Sequence, residues 1–287
     1  MSDVAVAALA RRRKPLNKSL VFGGALLLVF VVAAAFASAL SPHDPYAQSL
    51  LRRLRPPIWS GGTWVYPFGT DAFGRDYLSR LLHGTRISLA VGLGGAALAG
   101  LIGASLGIVA GFFGGWVDRI VSFVISTRLA LPSLLVALAV LQVAGSGLGI
   151  VVVVLALTHW DRFAVVMRTV VRQTVRMDYV TRARAMGASN TRIVAQEVLP
   201  NVMGQFVVIF TFEMAQCILA AAVLSFLGLG IQAPQPSWGL MMAEGRALLT
   251  VNPWLISIAG IALMLLVLAV NLVGDGLRDF LAPKGPQ

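Results

Sequence analysis

The stretch that decides the fold is residues 20–40, LVFGGALLLVFVVAAAFASAL, which contains no charged side chain. A helix needs about 20 mainly apolar residues to cross roughly 30 Å of hydrocarbon, and this stretch meets that requirement. Five more segments do so as well. Together they predict six transmembrane helices, at 20–40, 87–111, 119–142, 148–167, 203–226 and 254–274. We therefore predict an all-α integral membrane protein.

The overall composition supports this prediction. Apolar residues make up 57% of the chain and charged residues 12%, whereas a soluble domain carries about 25% charged residues. The net charge of +11 fits either a nucleic acid or the anionic cytoplasmic leaflet of a membrane as partner. Hydropathy favours the lipid membrane, so we expect no nucleic-acid partner.

Cysteine and histidine usage indicates neither a disulfide framework nor a metal centre. Cys217 is the only cysteine and lies in an apolar run. The three histidines, His43, His83 and His159, have no ligand-like spacing. We predict that the chain binds no metal.

Basic residues set the predicted orientation. The first span follows a run of positive charges, which predicts a cytoplasmic N-terminus: Arg11, Arg12, Arg13, Lys14 and Lys18. Six crossings return the C-terminus, with Arg278 and Lys284, to the same side. The predicted segments are a cytoplasmic N-terminus (1–19), an outer loop (41–86), a core of five spans (87–274) with a cytoplasmic loop (168–202), and a cytoplasmic tail (275–287).

A cleaved export signal is the alternative reading of the N-terminus, because Ala37-Ser38-Ala39 resembles a signal-peptidase site. The apolar run of about 20 residues exceeds the 7–15 of a signal sequence, which favours an anchor that stays.

Small residues recur at every fourth position along the second span. They are Gly95, Ala99, Gly103, Gly107 and Gly111, which share one helical face. Such a face lets two helix backbones approach closely. We expect helix packing here, with a substrate path as the weaker alternative.

A basic stretch precedes the fifth span: residues 179–200, YVTRARAMGASNTRIVAQEVLP. Asp178 can cap a short helix, and Gly187 can end it in a left-handed conformation. On that helix Tyr179, Ala183 and Met186 share a face, with Arg182 at its edge. The exposed face predicts a docking ridge, and an amphipathic helix lying on lipid is the alternative.

A second short helix follows in the same stretch. Ser189 or Asn190 can cap it, it should end near Val198, and Pro200 fits the first turn of the fifth span.

Two charges, Arg128 and Glu213, lie deepest inside the predicted spans. Arg128 and Glu213 lie at matching depth when counted from the cytoplasmic ends of the third and fifth spans. Because an unpaired charge at that depth is costly, we predict that they pair or line the same cavity. In the alternative, Arg128 reaches the cytoplasmic interface and Glu213 is protonated among the helices.

Several motifs that are typical of enzymes are missing from the sequence. None of the three lysines follows a Gly-x-x-x-x-Gly pattern, so the chain has no phosphate-binding Walker A loop. His-Glu-x-x-His and Cys-x-x-Cys are also missing. We predict that the chain is not an enzyme and binds no cofactor.

The spacing of Ala183, Gly187 and the pair 199–200 resembles the cytoplasmic loop motif of binding-protein-dependent ABC importer permeases. Thr181 and Arg182 stand where that family usually has Glu and Ala. In the family, a short coupling helix in this loop sits in a cleft of the ATPase subunit. The resemblance implies that the following residues contact the ATPase: Tyr179, Thr181, Arg182, Ala183, Met186, Gly187, Leu199 and Pro200.

Three further stretches narrow the resemblance to the C-type permeases of the dipeptide/oligopeptide/nickel branch. They are residues 69–80, 224–239 and 271–279. That resemblance implies a type I ABC importer permease fold in a bacterial cell membrane. It also implies a second permease subunit, two ATP-binding subunits that carry ATP and Mg²⁺, and an extracytoplasmic substrate-binding protein. The expected substrates are di- or oligopeptides, with nickel, glutathione or another small solute as alternatives.

Two of these stretches also have local structural readings. Gly69 and Gly74 suit tight turns held by Asp-Arg pairs, and Trp238 suits an anchor at the membrane interface.

A different class of function, an autonomous ion-coupled transporter, predicts several acids within the membrane. On the predicted spans only Glu213 lies deep, which disfavours that class.

Overall fold

The computed structural model describes residues 18–281, and within that range the regular structure is helical, with one isolated bridge between Thr70 and Asp76. The basic residues before Lys18, and Lys284 in the tail, lie outside the described residues. The helices are α1 (Lys18–Ala35), α2 (Ala37–Leu40), α3 (Tyr77–Phe113), α4 (Gly115–Leu129), α5 (Ser133–Ala144), α6 (Leu148–Thr174), α7 (Asp178–Ala185), α8 (Asn190–Phe226), α9 (Trp238–Arg246) and α10 (Trp254–Leu281).

Five of the described helices, α1, α3, α6, α8 and α10, are long and apolar enough to cross a membrane. The pair α4 and α5 passes the same test jointly but is bent by 82°. The predicted third span, 119–142, is therefore broken into two helices rather than formed by one continuous helix. Pro132 explains the break, because it lacks an N–H and disfavours helical geometry at Leu131.

Several predicted boundaries also differ from the structure, among them those of α3 and α6. The helix α3 begins at Tyr77 rather than at residue 87, and Asp76 caps it by accepting from the Ser79 N–H at 3.1 Å. The helix α6 continues to Thr174, seven residues beyond the predicted end. As a consequence Asp161 and Arg162, expected near the cytoplasmic end of the predicted span 148–167, lie in the middle of α6.

The small residues of α3 pack against α6. All five are buried, and a Cβ added to Gly103, Gly107 or Gly111 would lie 2.1, 2.6 or 2.7 Å from a backbone carbonyl oxygen of α6. Those oxygens belong to Trp160, Ala164 and Arg168. Because backbone atoms cannot swing aside, only glycine permits this approach, and the prediction of close helix packing is confirmed.

We expect Gly103→Ala to destabilise the membrane core by about 1–3 kcal/mol, because the added methyl group forces α3 and α6 apart. Gly149→Ala is the matched control, since nothing lies within 4 Å of its added Cβ. The buried thiol of Cys217 provides the readout: its labelling by a thiol reagent during heating reports unfolding. Equal midpoints for the two variants would contradict this packing.

A buried ionic cluster holds the outer loop against α9. Arg75 Nε lies 2.6 Å from Asp71 Oδ2, and Arg75 Nη2 lies 2.9 Å from Glu244 Oε1. Arg80 contacts Asp71 and lies 2.6 Å from Glu244 Oε2. The predicted Asp-Arg pairs are confirmed, but the sequence pattern missed Glu244, which the fold brings from α9.

The turns before α3 have the expected geometry, with φ of +75° at Gly69 and +73° at Gly74. Trp238 does not. It is 1% exposed, and its indole N–H donates to the Leu81 carbonyl at 3.0 Å. The prediction of an interfacial anchor is wrong, because the short helix α9 folds back onto α3 and buries the ring over Gly84.

Candidate coupling site

The helix α7 ends as the sequence predicts. Gly187 has a φ of +82°, its N–H donates to the Arg184 carbonyl at 3.0 Å, and the Ala188 N–H donates to the Ala183 carbonyl at 3.1 Å. These two bonds form a Schellman motif, which closes the last turn of a helix with a left-handed residue. Ala183 and Gly187 thus set the geometry of one turn.

The start of α7 differs from the prediction. Met177 is the N-cap, and its carbonyl accepts from the N–H groups of Val180 and Thr181 at 3.1 and 3.2 Å. Asp178 makes no cap bond and lies in the first turn, where its negative charge still suits the helix dipole. The second predicted cap is confirmed, because Ser189 Oγ accepts from the Arg192 N–H at 3.3 Å.

The inner face of α7 attaches the helix to the membrane core. Val180 is fully buried in a cluster with Phe112 of α3, Met167 and Val171 of α6, and Ile193 of α8. Ala183 is half-buried and packs on this cluster. Contrary to the prediction, Ala183 therefore does not stand on the exposed ridge with Tyr179 and Met186. This apolar attachment joins α7 to the ends of three long helices.

The outer face of α7 is open. The exposed fraction is 38% for Tyr179 and 82% for Met186, and Thr181 and Arg182 are exposed beside them. Partial burial, with a smaller contribution from the Glu197 carboxylate, raises the pKa of Tyr179 above its usual value. The phenol therefore keeps its proton at neutral pH and can donate a hydrogen bond. We call this face, with Tyr179, Thr181, Arg182 and Met186, the coupling surface.

The helix α8 does not break near Val198 as predicted. It is continuous from Asn190 to Phe226 and contains a π-helical stretch, Val194–Val198, in which the Leu199 N–H donates to the Val194 carbonyl five residues back. Pro200 follows in the next turn and is exposed. Proline has no N–H to donate to the carbonyl four residues earlier, and its ring clashes with that carbonyl. The wider π-helical turn before Pro200 accommodates the ring, so the helix continues.

Arg128 and Glu213 do not form a pair. Arg128 lies in the last turn of α4. Its guanidinium donates to the Leu131 carbonyl at 3.0 Å and to the Thr158 carbonyl of α6. Glu213 is fully buried in α8, and its carboxylate lies 2.9 Å from His159 Nδ1 and 3.3 Å from Arg162 Nη1. The prediction of direct pairing is wrong. Arg128 fixes the bend between α4 and α5, and Glu213 bonds to α6.

The polar residues at the centre of α6 were missed by sequence reasoning. Asp161 is buried in the middle of α6, so Glu213 is not the only acid deep within the described membrane helices. Arg162 lies about 20 Å from either end of α6 at 1.5 Å per residue. A signal was present, because apolar residues resume at Phe163 and continue to Met167 after the polar segment 158–162.

Comparison with known proteins agrees with this architecture. The model of the family "Binding-protein-dependent transport system inner membrane component" matches residues 103–284, and that of the "N-terminal TM domain of oligopeptide transport permease C" matches residues 8–57. The chain belongs to this permease family. It is therefore a multi-pass inner-membrane protein and a C-type permease subunit of an ABC importer, as the sequence motifs indicated.

Relatives of this permease match almost its whole length. It is 40% identical over 269 residues to the di/tripeptide transport system permease DppC of Pseudomonas aeruginosa (strain UCBPP-PA14), which covers 93% of this chain and 89% of the relative. It is 40% identical to the dipeptide permease DppC of Bacillus subtilis (strain 168), covering 96% and 85%. It is also 38% identical to the glutathione permease GsiD of Pectobacterium atrosepticum, covering 92% and 86%.

A solved structure shares the fold of this permease. A chain of the MetNI methionine ABC transporter, in inward-facing conformations, superimposes with a TM-score of 0.56 at 17% identity, covering 71% of this chain and 97% of that chain. At 17% identity this similarity establishes the fold alone, which is that of a type I importer permease.

Proposed function

We propose that this permease subunit imports di- or oligopeptides and that partner ATPases drive it through the coupling surface. In the proposed complex it forms the translocation path with a second permease, an extracytoplasmic binding protein delivers the substrate, and two ATP-binding subunits carry ATP and Mg²⁺. The chain itself neither binds nor hydrolyses ATP, and both of its termini are cytoplasmic. Glutathione or nickel import is the alternative within the same family.

The observation that carries this proposal is the exposed and rigidly mounted helix α7. Its outer face presents Tyr179 and Met186, while its inner face is fixed to α3, α6 and α8 through Val180. A displacement of α7 is therefore transmitted to three long helices at once. An amphipathic helix that only covered the core would not need exposed apolar side chains at its surface.

Site-specific crosslinking tests the docking role. We expect a photo-crosslinking side chain at Met186 to capture an ATP-binding subunit in membranes of the native organism. The same group at Leu51 in the outer loop, which is 96% exposed, is the control and should not. Capture of the ATP-binding subunit from both positions, or from neither, would contradict the proposed docking.

Transport by the complete complex tests the substrate. In proteoliposomes with the binding protein, we expect dipeptides to stimulate ATP hydrolysis and to accumulate inside. Stimulation by glutathione or Ni²⁺ with no response to peptides would assign the alternative substrate.

A further inference from the structure

A cavity of about 260 Å³ lies between the bent third span and the centres of α6 and α8. Its walls carry Ser133 at the start of α5, Thr158, His159 and Arg162 of α6, and Gln216 of α8. No aspartate or glutamate is among the described residues that line it. The side chains of Arg162 and Gln216 on these walls indicate a water-filled space, since lipid would leave their remaining N–H groups unsatisfied.

The side chain of Arg162 lines this cavity and is partly exposed. The exposed fraction of its side chain is 44%, although it lies about 20 Å from either end of α6. Exposure of arginine to lipid at this depth costs about 2.5–3.5 kcal/mol on insertion scales, so this face must meet water or protein. The exposed arginine therefore marks a side of the subunit that faces either the second permease or the translocation path.

Glu213 holds Arg162 in place from behind. The described contacts of the guanidinium are one hydrogen bond to Glu213, from Nη1 at 3.3 Å, and the ring of Phe212 at 5.7 Å. Because a guanidinium has five N–H donors, this single bond leaves most of the fork free toward the cavity. His159 bonds to the other carboxylate oxygen at 2.9 Å, which fixes the glutamate.

We propose that Arg162, with His159 and Gln216 beside it, is a transit subsite for the carboxylate of the transported solute. This inference rests on the proposed import of peptides, whose free C-terminus carries that group. A guanidinium binds a carboxylate through two parallel hydrogen bonds, which suits recognition of this end of the substrate. Glu213 weakens the attraction, and weak binding suits a path, because a substrate that binds tightly does not leave.

A cysteine at Leu219, which lines the cavity, reports its occupancy in the complete complex. We expect alanyl-alanine to slow labelling of Leu219→Cys by a thiol reagent about threefold at twice its Kd, and its C-terminal amide to have little effect. Cys217 is buried, so the parent chain gives the background rate. Equal protection by acid and amide, or protection by neither, would overturn the subsite.

Substitution of Arg162 provides a second test of the subsite. Arg162→Met in the Leu219→Cys background should abolish protection by the free acid, and Arg162→Lys should retain part of it. Arg172→Met, the same change on α6 outside the cavity, is the control and should keep full protection. Protection that survives Arg162→Met would assign the carboxylate to another group.

ATP hydrolysis stimulated by peptide-loaded binding protein separates the two proposals. If it persists while Leu219→Cys is not protected, the subsite is wrong and the peptide importer stands. If peptides do not stimulate hydrolysis at all, the proposed function itself is wrong.

Discussion

Gly187→Val is expected to reduce peptide-stimulated ATP hydrolysis and uptake by about tenfold or more. The φ of +82° at this position suits glycine, and a β-branched residue there is strained by about 1–3 kcal/mol. Each 1.4 kcal/mol corresponds to a factor of ten in an equilibrium. Relief of the strain breaks the two bonds that close α7, so the coupling surface loses its fixed orientation. The measurement is hydrolysis and uptake by the complete importer in proteoliposomes.

The matched control is Gly187→Asn. Nothing lies within 4 Å of a Cβ added at this position, so any difference between the two variants comes from the backbone and not from crowding. Asparagine adopts a left-handed conformation more readily than valine, and this variant should retain most of the activity. Wild-type hydrolysis by Gly187→Val would show that the geometry of this turn is not needed for coupling.

Asp71→Ala is expected to open the outer loop. The carboxylate of Asp71 bonds to Arg75 and Arg80 and also accepts from the N–H groups of Phe73 and Arg75 at 2.8 and 3.0 Å. Both arginines are at least 95% buried, so its removal leaves buried positive charge with only Glu244 as partner. Breaking a buried ion pair in this way costs about 3–5 kcal/mol.

Hydrogen exchange measures the opening of this loop. The amides of Leu54 and Asp71 bond to the carbonyls of Asp71 and Arg75 at 3.1 Å, and their protection should fall by about two to three orders of magnitude in the variant. Asp44→Ala is the control, because Asp44 is exposed in the same loop and, among the described residues, its carboxylate accepts from the Tyr46 N–H alone. Protection factors that match the wild type in Asp71→Ala would show that Glu244 alone is sufficient.

The sequence determined the features that depend on local composition and local conformation. Long apolar runs have no favourable environment but lipid, so residues 20–40 and 254–274 predicted membrane helices. The structure has helices long and apolar enough to span at Lys18–Ala35 and Trp254–Leu281. Helix closure at Gly187 and close packing at Gly103 were predictable for a similar reason. A left-handed turn and a contact between two backbones each favour one residue type at a known spacing.

The tertiary structure decided which polar groups meet. Arg128 and Glu213 have matching depths along the chain, but depth does not specify the direction in which a side chain points. The bend at Pro132 turns Arg128 toward the Thr158 carbonyl, and the close packing of α3 on α6 helps to place α6 so that His159 and Arg162 reach Glu213. Glu244 meets Arg75 and Arg80 only because α9 folds back over the outer loop. Such partners are far apart in sequence, and they come together because burying a charge is costly unless the fold supplies an opposite charge or a hydrogen-bond acceptor.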